Sequence, residues 1–245
     1  MATERSTSPT PAETPSADSP VVSLNDPRAI QILSTEHWSL LSARSLAYNE
    51  AFVRGGMFLT FLSTSFVALA LFSTAMSFGD GFLAIAAIVL AFDFVLGLLT
   101  YGRIIGANMD DMRAVHGMSR IRHGYTEVAP ILAPYFTTGT HDDEAGVMIS
   151  YGSPPSTYPR VVLYGLTTSG GMIGLIVSLV GGVLVGVIGL LLGASGTSAF
   201  VIGVIGAVVA FVAIVAAAAG YLPRQSAALP VLFPTPKADP PVTDG

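Results

Sequence analysis

The chain has 245 residues, 51% of them hydrophobic and only 11% charged, with a net charge of −5 and no cysteine. A soluble domain carries about 25% charged residues to cover its surface, so this composition excludes an ordinary soluble globule and points to lipid as the surrounding medium. The missing cysteines exclude disulfides, thiolate metal sites and a cysteine nucleophile. No basic patch with interleaved aromatics supports nucleic-acid binding.

Residues 1–24 are rich in Ser, Thr and Pro. They lack the basic head and apolar stretch of a signal peptide and cannot bury enough apolar surface to offset chain entropy, so a disordered tail is expected. Asn25-Asp26-Pro27 then reads as a helix start, a capping side chain before Pro at the first helical position. Ser34, with Glu36 behind it, offers a second start. Trp38, Leu41, Ser45, Tyr48 and Phe52 follow at 3-4-3-4 spacing and share one helical stripe. The helix is expected to run on into a first span, with Gly55-Gly56 as a flexible joint at the membrane surface.

A span needs about 20 apolar residues to cross about 30 Å of hydrocarbon. Residues 55–79 contain no ionisable group and hold one span, about 56–78. Gly79-Asp80-Gly81 is a turn signal, and a second span follows at about 82–102. Residues 161–223 contain no Asp, Glu, Lys, Arg or His. They accommodate spans at about 170–192 and 199–221, joined by the turn-like stretch 193–198. The fold class is therefore an all-α membrane protein, with four transmembrane helices arranged as two hairpins. The first hairpin is expected over 25–134, with cytoplasmic helical extensions of both its spans, and the second over 166–223.

The 11 Lys and Arg residues fix the orientation. They fall before the first span (Arg5, Arg28, Arg44, Arg54), between the second and third (Arg103, Arg113, Arg120, Arg122, Arg160) or after the fourth (Arg224, Lys237). The short turns carry none. Positive residues near span ends favour the cytoplasm. Four spans place all three regions there, so both termini are expected on the cytoplasmic side of a bacterial inner membrane.

Beyond Arg103 the second helix continues. Ile105, Met109, Met112, His116, Ser119 and His123 form a stripe expected to face the stripe of the first helix, and Pro130 and Pro134 end it. Residues 135–165 read as a cytoplasmic loop in which Val147-Met148-Ile149 form a strand or pack on the bundle. Residues 224–245 read as a disordered tail.

Ser34-Thr35-Glu36-His37-Trp38-Ser39-Leu40-Leu41, the stretch around Tyr48-Asn49-Glu50, and His141-Asp142-Asp143-Glu144-Ala145-Gly146 resemble an uncharacterised family of bacterial multi-pass membrane proteins, over roughly residues 34–150. The resemblance implies no activity. The architecture alone is also similar to two-span sensor or effector modules of bacterial conflict systems.

His141, Asp142, Asp143 and Glu144 are the densest set of metal-type donors. Adjacent residues rarely converge on one ion, and the alternative is a solvated acidic loop or a helix start with carboxylates at its N-terminus. His116 and His123 lie about 10 Å apart along a helix, too far to share an ion; packing in the bundle is the simpler role, with His37 able to approach one of them. Asp93 is the one ionisable residue deep in a span. Such a group either faces a pathway or partner, or is neutral and hydrogen-bonded to Thr60, Ser63, Thr64 or Ser65. Gly174, Ser178, Gly182 and Gly186, with Gly203 on the fourth span, form small-residue ridges that let helix backbones approach closely in lipid. They serve packing within the chain or between copies.

No catalytic, cofactor or metal site is assigned. The expected function is a non-enzymatic integral membrane protein: a scaffold, sensor or assembly component with a small cytoplasmic bundle. The alternative is an oligomeric channel, supported by Asp93 and the ridges. The expected partners are the lipid bilayer and a second copy of the chain; nothing in the sequence identifies another protein partner.

Overall fold

The computed structural model describes residues 23–76, 78–152, 165–226 and 229–236. Among them are α1 (Pro27–Met76), α2 (Asp80–Val128), α3 (Glu144–Ser150), α4 (Ser169–Leu191) and α5 (Gly196–Ser226), with a 3-10 turn at Pro130–Tyr135. Four of these helices, α1, α2, α4 and α5, are long and apolar enough to cross a membrane. No strand occurs among the described residues.

Local chemistry explains the helix ends. Asp26 Oδ1 accepts from the Arg28 N–H at 2.8 Å, and Pro27 takes the position where a missing N–H costs nothing. The turn after α1 takes in Phe78 and Gly79, earlier than Gly79-Asp80-Gly81 suggests, because Asp80 and Gly81 already belong to α2. After α4, Gly193 adopts φ 86° while the Ala194 N–H reaches back to the Gly189 carbonyl at 3.0 Å. That closure needs a left-handed residue, and glycine supplies it without a Cβ penalty. Ser195 then caps α5 by accepting from the Ser198 N–H.

α1 and α2 pack antiparallel along their whole length. Leu33 lies by Gly124, Leu40 by Gly117, Glu50 pairs with Arg103, and the rings of Phe61 and Phe92 sit 5.5 Å apart. α4 packs antiparallel to α2, with Val177 against Gly97 and Phe94 against Gly181, and α5 returns antiparallel to α4. α2 and α5 therefore run in the same direction. The main core holds Phe58, Leu90, Ile104, Ile173 and Val177; a second, smaller core at the far end of α2 holds Val115, Met118 and Val147. The outward faces carry exposed Phe66, Leu71, Ile88, Leu99, Val183, Phe200 and Val208. A surface so apolar belongs in lipid rather than water.

Between the two cores, Glu50 bridges Arg54 on its own helix and Arg103 on α2. Hydrogen bonds from Arg103 and then Arg54 hold its carboxyl down at about 2. This charged triplet separates the apolar halves of α1 and α2 from the more polar halves.

Four expectations need correction. Gly55-Gly56 is no joint: α1 runs unbroken through it, and Gly55 is buried facing Ile104 and Ile173. The stripe of Trp38, Leu41, Ser45, Tyr48 and Phe52 does not face α2 as a whole: all five are exposed, and Tyr48 reaches α2 through its hydroxyl. The face that packs is Leu33, Leu40, Arg44, Ala47 and Ala51, because small side chains allow close helix approach and Arg44 finds a carboxylate there. Residues 135–165 are not all loop, since α3 spans Val147-Met148-Ile149 and buries Val147 against α2. The C-terminal tail is not uniformly disordered: α5 extends to Ser226, and residues 229–236 are seated on the end of α2. The expected N-terminal tail up to 22, and residues 153–164 and 237–245, lie outside the described residues.

Candidate functional site

The acidic loop, the distal end of α2 and the C-terminal segment meet at one place. Gly139 and Gly146 let the loop fold back on the first turn of α3, since a Cβ at either would strike the other strand of the loop's backbone. The loop is further tied by the Gly139 N–H donating to Ser150 Oγ at 3.1 Å and by Arg122 donating to the Gly139 carbonyl. This fold turns Asp142 and Asp143 toward the C-terminal segment and Glu144 toward solvent.

Asp142 has no solvent exposure. Its oxygens accept from the Phe233 N–H at 2.7 Å, the Leu232 N–H at 3.0 Å and Arg120 Nε at 2.8 Å, while its own N–H donates to the Phe233 carbonyl. Arg120 also donates to the Pro230 carbonyl. Burial alone would raise the Asp142 carboxyl, but the Leu232 and Phe233 N–H groups and Arg120 outweigh it and hold it below the usual carboxylate range. Asp143 accepts from the Thr235 N–H and hydroxyl at 2.9 and 2.7 Å, and caps α3 by accepting from the Gly146 N–H at 3.0 Å. It too is held low: against the opposing effect of burial stand Thr235 and the Gly146 N–H.

His123 completes the clamp. Its ring stacks on Phe233 with centroids 4.2 Å apart, and His141 meets it edge-on at 5.5 Å. His116 sits one turn before Arg120, nearly buried; burial, opposed by Asp142 and aided by Arg120, lowers its pKa. Its Nδ1 and the Ser119 hydroxyl have no partner among the described residues.

The structure thus brings His123, His141, Asp142 and Asp143 together, but as acceptors and stacking partners for a peptide. Among the described residues no three His, Asp or Glu side chains converge in a way that would hold a metal ion. Asp93 lies elsewhere, enclosed between α1 and α2, where Ser65 donates to its Oδ1 at 3.0 Å. The glycine ridges lie at the α4–α5 contact: Gly182 faces Gly203 and Ala207, Gly186 faces Ala199 and Gly203, and Gly174 faces Tyr101 and Ile214. Ser178 is buried and donates to the Gly174 carbonyl.

Sequence reasoning missed Arg120, the C-terminal segment and a second buried carboxylate, Asp111. Asp111 accepts from Arg44, from the Tyr48 hydroxyl at 3.1 Å and from the Tyr151 hydroxyl at 2.7 Å, which ties α1, α2 and the end of α3 together. The available signal for the segment was an apolar run, Val231-Leu232-Phe233, inside a stretch otherwise read as polar.

No family model, curated protein or solved structure matches the chain.

Proposed function

We propose that the chain is a non-enzymatic integral membrane protein, an assembly, scaffold or sensor component. Its two transmembrane hairpins anchor a helical bundle that extends the first hairpin into the cytoplasm of a bacterium. The observation that carries this reading is the outer stripe of α1. Beyond the apolar half of the helix, Trp38 is 65% and Phe52 68% exposed, with Leu41 between them. An aromatic stripe standing off the bundle in water is surface of the kind that docks protein. The acidic loop argues the same way, because Asp142 and Asp143 are engaged with main-chain N–H groups of the C-terminal segment.

The positions of the Lys and Arg residues support cytoplasmic termini and a cytoplasmic bundle. The pore alternative draws little support from Asp93, whose side chain is enclosed by helices. Native mass spectrometry of the protein in nanodiscs, paired with conductance in liposomes, tests the reading. A defined, non-conducting assembly whose mass drops when Trp38 and Phe52 become Ser supports it. A conducting ring overturns it in favour of the pore.

A further inference from the structure

We propose that the groove formed by Arg120, His123, Asp142 and Asp143 is a peptide-recognition site, and that residues 230–235 are its resident, releasable ligand. The proposal rests on reading the bundle as a docking module. Its ligand class is a Pro-x-x-Phe-Pro-Thr segment bent at the second x and Phe, so that two successive N–H groups point the same way.

The contacts define what is recognised. Arg120 takes the Pro230 carbonyl, Asp142 takes two successive N–H groups at 232 and 233, His123 takes the Phe233 ring, and Asp143 takes both the N–H and hydroxyl of Thr235. Pro234, which has no N–H, falls between the two carboxylates where no donor is used. Main-chain hydrogen bonds give such a site its affinity, and the ring and hydroxyl give it selectivity.

The segment behaves as a ligand and not as part of a core. Val231 and Leu232, its aliphatic side chains, remain 51% and 56% exposed. The groove is lined by charged and polar groups that water can solvate once the segment leaves, and Arg120 stays available to Asp142. Release therefore opens no dry cavity and leaves α3 packed on α2 through Val115, Met118 and Val147.

The test uses the full chain. Because it has no cysteine of its own, labels at Glu127→Cys and Leu232→Cys report the distance between α2 and the segment by electron–electron resonance. An unlabelled synthetic peptide of residues 229–236 is then titrated in. The expected result is a short, narrow distance that lengthens saturably as the peptide displaces the segment. The same peptide carrying Ala in place of Phe233 and Thr235 should need at least about tenfold more for equal displacement. The double variant Asp142→Asn/Asp143→Asn should show the long distance without peptide while keeping its helical circular dichroism. A distance that no concentration of peptide changes overturns the proposal, as does equal displacement by a scrambled peptide. Loss of helicity in the double variant overturns it too, since the segment would then be a structural element. None of these readouts depends on oligomeric state or conductance, so the groove and the assembly reading fail separately.

Discussion

Replacing Gly182 is expected to loosen the α4–α5 pair far more than replacing Gly189. A Cβ at 182 would stand 2.6 Å from the Gly203 carbonyl oxygen and 2.6 Å from the Ala207 Cβ, where ordinary contact is 3.4–4 Å. The oxygen is backbone and the methyl is fixed to it, so neither rotates away, and the helices must part by about 1 Å. A gap of that size forfeits a quarter to a half of each dispersion contact along the ridge, worth about 0.1–0.2 kcal/mol per atom pair. Over some tens of pairs, even alanine costs about 1–2 kcal/mol, and leucine on the order of 3 kcal/mol. At Gly189 the nearest neighbour of an added Cβ is Ala199 at 3.8 Å, so leucine there meets ordinary contact. The gain in helix propensity, up to about 1 kcal/mol, offsets much of what remains. Reversible unfolding in mixed detergent, with disulfide cross-linking between cysteines placed on facing sides of α4 and α5, measures both variants. Equal losses at 182 and 189 would refute the reasoning, because the close approach of the backbones would not then be what holds the pair.

Three further outcomes follow from the same geometry. Asp142 and Asp143 have folded pKa values below their unfolded values, so their contribution is present above about pH 4 and is lost as the pH falls through their folded values; fluorescence quenching between a label on the segment and α2 should fall as the pH drops below about 4. Asp111→Asn leaves the largely covered Arg44 guanidinium without its counter-charge and should cost about 2–4 kcal/mol, read as a fall in Tm; a change under about 0.5 kcal/mol would show the cluster to be solvated. Asp93→Asn keeps an acceptor for Ser65 and should leave insertion and yield nearly unchanged, whereas Asp93→Leu strands the Ser65 hydroxyl and should cost about 1–3 kcal/mol in detergent unfolding; equal stability of the two would remove the hydrogen bond from the account.

What the sequence made legible was whatever depends on neighbours in the chain. Long apolar runs, uncharged but for Asp93, gave the four apolar helices, and Asn25-Asp26-Pro27 gave the start of α1. The helix-start reading of His141-Asp142-Asp143-Glu144 matches Asp143 at the cap of α3. What escaped was set by partners far away in sequence. Trp38 and Phe52 keep the spacing of a buried stripe, yet spacing does not fix which way a helix is rotated; Ala47, Ala51 and the Arg44–Asp111 pair did that. The docking of Phe233 on His123 joins positions on opposite sides of two spans, and no periodicity encodes such a meeting.

That docking also sets an order of events in time. α1, α2 and the loop that leads into α3 are synthesised first, and they carry every group of the clamp; the segment that fills it arrives only after α4 and α5. Because α5 runs in the same direction as α2, the segment reaches Asp142 only when α4 and α5 have packed back along α2 as an antiparallel pair. A copy in which α5 failed to return along α4 would leave its C-terminal segment at the far end and the clamp unfilled, so a closed clamp records that both helices were placed as the structure has them.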